Sequence, residues 1–71
     1  MIEKTKTQRG FTLIKFDDLY TQPCSLQKSS LATEDAIWLG VDNTDRRMHL
    51  SREQVNELLP YLIQFTETGD L

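Results

Sequence analysis

Cys24 and His49, the chain's single cysteine and single histidine, are the one pair of side-chain types that could supply a nucleophile and its base. Such a pair would have to meet within hydrogen-bond reach, directly or through one water. Their local settings argue otherwise: Cys24 follows Pro23 at the start of a strand-like run, and His49 stands just before a helix cap. Both settings suit structural or exposed side chains. Gly10, Gly40 and Gly69 are isolated, so no phosphate-binding loop or oxyanion hole is expected. Asp42 and Asp45 around Asn43, with Asp17 and Asp18 in another loop, invite a metal reading. However, the alternate oxygen ligands, central glycine and distal glutamate of a calcium loop are missing. Ser29 and Ser30 read as polar residues at a strand end. The expectation is a nonenzymatic protein with no catalytic residues, no metal and no cofactor.

The clearest structural signal is a helix start. Ser51 can accept from the Gln54 N–H while the Gln54 side chain reaches back, and Leu50 and Val55 occupy the positions of a hydrophobic staple. Val55, Leu58, Leu59, Leu62 and Phe65 then form one apolar stripe. Pro60 interrupts the hydrogen-bond ladder but falls on the outer face beside Asn56, Glu57 and Gln64, so one bent helix is expected, ended by Gly69. With no second, recognition helix following it in these 71 residues, a helix-turn-helix reader is not expected.

Upstream, Phe11–Phe16 and Ala36–Val41 are rich in aromatic and β-branched residues and predict strands. Cys24–Leu31 contains a third, and Met48–Leu50 a short fourth. Short connections, including the Asx-rich turn Asp42–Asp45, favour antiparallel neighbours. The expected fold is α+β: an antiparallel β-meander of three to four strands packed on one C-terminal α-helix. Residues 1–10 are expected to be a flexible arm, and 11–71 a single domain.

A chain of 71 residues without a disulfide pair has a thin core, so a second chain is a natural source of stability. Its net charge of −3 and pI near 4.9 argue against general attraction to nucleic acid. The alternative is a nucleic-acid or small-ligand accessory factor contacting phosphate through Lys4, Lys6 and Arg9 of the basic arm, with Arg46 and Arg47. One unpaired cysteine, no apolar run near the ~20 residues that cross a bilayer, and no signal-peptide core in the first ten residues lead to the expectation of a cytoplasmic protein.

Alternation along Ala36–Val41 puts Ile37, Leu39 and Val41 on one side and Ala36, Trp38 and Gly40 on the other. One helix covers one face. If the aliphatic set meets it, Trp38 and Gly40 lie on the bare face, joined by whichever pair of the first strand points that way, Phe11 and Leu13 or Ile14 and Phe16. A large aromatic beside small residues suits the centre of an interface. The opposite register would put the indole in the core. The apolar arc of the helix is also wide, which offers Tyr61 and Ile63 to another chain.

Phe16-Asp17-Asp18, Ser29-Ser30, Ile37-Trp38-Leu39-Gly40 and Met48-His49-Leu50-Ser51, followed by Leu58-Leu59 and Leu62, resemble the pattern of small proteins encoded by phages and prophages. That resemblance implies no defined activity and assigns no residue a role. It does imply an accessory protein that binds and modulates a larger host protein. Together these readings give a small protein-interaction or regulatory module, self-associating as a homodimer, with Trp38, Gly40, Phe11, Leu13, Tyr61 and Ile63 as partner-binding residues.

Overall fold

The computed structural model describes residues 2–71, so the first residue of the expected arm lies outside it. Five antiparallel strands form one sheet in simple chain order: β1 (Glu3–Lys6), β2 (Thr12–Asp17), β3 (Pro23–Lys28), β4 (Ala36–Val41) and β5 (Met48–Ser51). A single helix follows, α1 (Arg52–Thr68). The class is α+β, as the hydrophobic patterning indicates, with one strand more than expected.

The additional strand replaces the expected flexible arm. Glu3 to Lys6 pair with Lys15 to Thr12 of β2. The hairpin turn is closed by Gly10 N–H to the Thr7 carbonyl at 2.9 Å and Thr7 N–H to the Phe11 carbonyl at 2.8 Å. Gly10 adopts φ +86°, which a residue without Cβ accepts freely. Backbone pairing holds this strand, since every side chain in it is exposed.

The other connections follow from their residue types. The Asp18 carboxylate accepts from the N–H groups of Tyr20 and Gln22 at 2.9 Å each, an Asx arrangement that reverses the chain ahead of Pro23. Asn43 takes the left-handed conformation, φ +60°, in the β4–β5 connection. Ser51 caps α1 with both halves of the capping box formed, at 3.1 and 2.9 Å. Gly69, φ +77°, ends the helix by donating to the Phe65 carbonyl. Pro60 lies within an uninterrupted helix.

One expectation fails in its packing. The helix does not lie across its own sheet; it meets the sheet chiefly at β5. Ser51 is at once the last residue of β5 and the N-cap of α1, so no connecting loop exists to reverse the chain. Every helix side chain except Val55 is exposed. The radius of gyration is accordingly 13.2 Å, against about 11 Å for a compact chain of this length.

Candidate interaction surfaces

Strand register sorts the sheet into two unlike faces. Phe16 opposes Cys24, Ile14 opposes Leu26, Leu26 opposes Leu39, Leu39 opposes Met48 and Ile37 opposes Leu50, so one face is aliphatic and aromatic across four strands. Cys24 alone on this face is buried; the larger side chains are only partly covered and Met48 is exposed. The aliphatic set of β4 therefore has no layer over it.

The reverse face closes over itself with polar groups. Ser25, at its centre, donates to the Asp42 carboxylate at 2.7 Å and accepts from Arg47 at 3.4 Å; Lys15 pairs with the same carboxylate. The Lys15 ammonium and the Ser25 hydroxyl hold the Asp42 carboxyl below its usual range. Gly40 opposes Ser25, and a Cβ there would stand 3.1 Å from the Arg47 Cα, so glycine admits the close approach of the segment leading into β5.

Trp38 lies on this polar face. Its indole stacks on the His49 imidazole, with centroids 3.8 Å apart and planes 3° from parallel, and the Arg47 guanidinium stands 5.6 Å from the indole ring. His49 Nε2 is 2.9 Å from the Ser29 hydroxyl, itself buried and accepting from the Leu31 N–H at 3.1 Å. The indole is thus partly covered by neighbours on its own face, and is neither bare nor held under the helix.

Of the residues expected to bind a partner, Trp38, Leu13 and Gly40 share this polar face. Phe11, just ahead of β2, carries the Arg9 guanidinium 5.9 Å from its ring. Tyr61 and Ile63 are half exposed on α1, away from that group. The sequence reading missed the bare side of the sheet. Its signal is the shared parity of Ile37, Leu39 and Val41, the set expected to meet the helix, which register joins to Ile14, Phe16 and Leu26.

Cys24 and His49 point to opposite faces, on β3 and β5, and cannot act as a nucleophile–base pair in this arrangement. Burial, chiefly, pushes the Cys24 thiol up, with the Asp18 charge adding to the effect, so the reactive thiolate is disfavoured. The basic residues are also divided: register puts Lys4 and Lys6 on the aliphatic side of edge strand β1, while Arg47 packs on the reverse face. They make no continuous phosphate track.

Where α1 leaves the sheet, Val55 joins Leu50 and Ile37 in an open cleft of about 320 Å³, with Lys28, Asp35 and Arg52 among its lining. The Asp35 carboxylate lies 3.4 Å from Lys28 and 3.5 Å from Arg52. The helix stripe consequently begins as a continuation of the aliphatic sheet face. No family model, curated protein or solved structure matches the chain.

Proposed function

We propose that this chain is a small nonenzymatic protein-interaction module that works as a homodimer, its aliphatic sheet face and helix stripe forming the shared core. One observation carries the reading. Among the described residues no Leu, Ile, Val, Met, Phe, Tyr or Trp is buried; the buried apolar residues are Cys24 and Ala36 alone. Folding of a chain this small draws its driving force from apolar burial, at roughly 25 cal/mol per Å². In an isolated copy the sheet face is only partly covered and the helix stripe is exposed, and contiguous apolar surface of this kind marks an interface.

The polar face, with Trp38 and, across Gln27, Leu13, is then free to meet a larger protein partner. Its half-covered indole, flanked by Arg47, has the composition of an interface anchor. The resemblance to phage and prophage products supports an accessory role acting on a host protein, and the lone thiol suits a cytoplasmic setting. Size-exclusion chromatography with light scattering tests the homodimer: the expected mass is twice 8.3 kDa. Leu39→Glu should bring it to a single copy, whereas Trp38→Ala should leave it paired. A single-copy mass for the unaltered chain at high concentration would refute the proposal.

A further inference from the structure

We infer that the occupant of the aliphatic sheet face is α1 of a second copy, so that two chains exchange helices about a twofold axis. This rests on the homodimer reading and specifies how the two copies meet. The absent connector is the first argument. Ser51 both ends β5 and caps α1, so no loop lies between them, and the helix meets its own sheet chiefly at β5. The helix carries an exposed apolar stripe and the sheet an apolar face that is only partly covered, and a twofold operation satisfies both at once.

Dimensions agree. Seventeen helical residues span about 26 Å, and five strands about 19 Å between their outer members. With the two β5 edges adjacent, a helix leaving one sheet reaches the partner's β5 first and crosses toward the partner's β1.

Charge fixes the direction of that crossing. α1 has no basic residue in its last turn, and Asp70 follows it, so its C-terminal end is electronegative and uncompensated within the chain. The edge reached last is β1, whose Lys4 and Lys6 rise on the aliphatic side. Those ammonium groups meet the partner's helix end. The hydrophobic stripe supplies the affinity, and the lysines set the orientation.

The test uses the full chain with Cys24→Ala as background. Lys6→Cys and Asp70→Cys variants, mixed and oxidised, should give a covalent dimer containing one of each. In parallel, the pair Lys4→Glu and Lys6→Glu should weaken dimerisation about three- to tenfold, with recovery on adding Asp70→Lys. Helical circular dichroism reports whether each variant is folded. Two results overturn the exchange while sparing the homodimer: normal dimerisation with no mixed cross-link, or a charge reversal that Asp70→Lys does not restore. A Lys6→Cys/Asp70→Cys double variant that closes within one chain also overturns it. A folded, strictly single-copy protein overturns both.

Discussion

Leu62→Ala separates a solitary chain from a shared core by the size of its effect. Leu62 sits at the middle of the α1 stripe and is 57% exposed in one copy. If that copy were the whole protein, truncation would remove little packed surface while introducing a better helix former. The change in stability would stay within about 0.5 kcal/mol. If the stripe lies against a second sheet, the same truncation empties a packed site and costs about 2–5 kcal/mol. A twofold dimer contains the site twice. Even the lower figure amounts to roughly 4 kcal/mol per dimer, close to a thousandfold in the dissociation constant. Urea unfolding followed by circular dichroism at fixed chain concentration measures this, with Gln64→Ala on the outer face as the control. Equal midpoints for the two variants would refute the reasoning.

Three other perturbations test the parts of the chain that position these surfaces. Asp42 has a folded-state carboxyl held low by Lys15 and Ser25, so its contribution is complete above the ordinary carboxylate value of 3.8 and is lost as pH falls through the lowered folded value. Asp42→Asn should abolish that part of the acid-limb loss, measured as unfolding midpoint against pH; an acid limb identical to that of the unaltered chain would contradict it. Ser51→Ala removes the Gln54 cap and should cost about 1 kcal/mol, with recovery in Ser51→Asp, both read by urea unfolding. Gly40→Ala sets a Cβ at φ +151° and 3.1 Å from the Arg47 backbone; a loss of about 1–3 kcal/mol is expected in the same assay.

The elements most legible in the sequence were those whose own side chains state their geometry. Ala36–Val41 forms a strand at its expected limits, and the Ser51 capping box and Gly69 stop are both present because caps depend on residues three or four apart. β1 was illegible for the converse reason. Glu3, Lys4, Thr5 and Lys6 are exposed on both faces, and backbone pairing to β2 leaves no hydrophobic pattern. Gly10 after Thr7-Gln8-Arg9 was the available sign of a hairpin. The Trp38–His49 stack depends on register between two strands, which parity along either strand alone does not reveal. The helix shows a different difficulty: its stripe predicts a packed face, yet α1 follows β5 with no loop between them, meets its own sheet chiefly at β5, and leaves that stripe exposed.

A core shared between chains makes folding and association one event, which is tested most directly by the concentration dependence of unfolding. Over a hundredfold range of chain concentration, a folded dimer gains about 2.7 kcal/mol of apparent stability, and the urea midpoint should climb steadily with concentration. A midpoint that stays constant across that range, with a cooperative transition, would contradict the account.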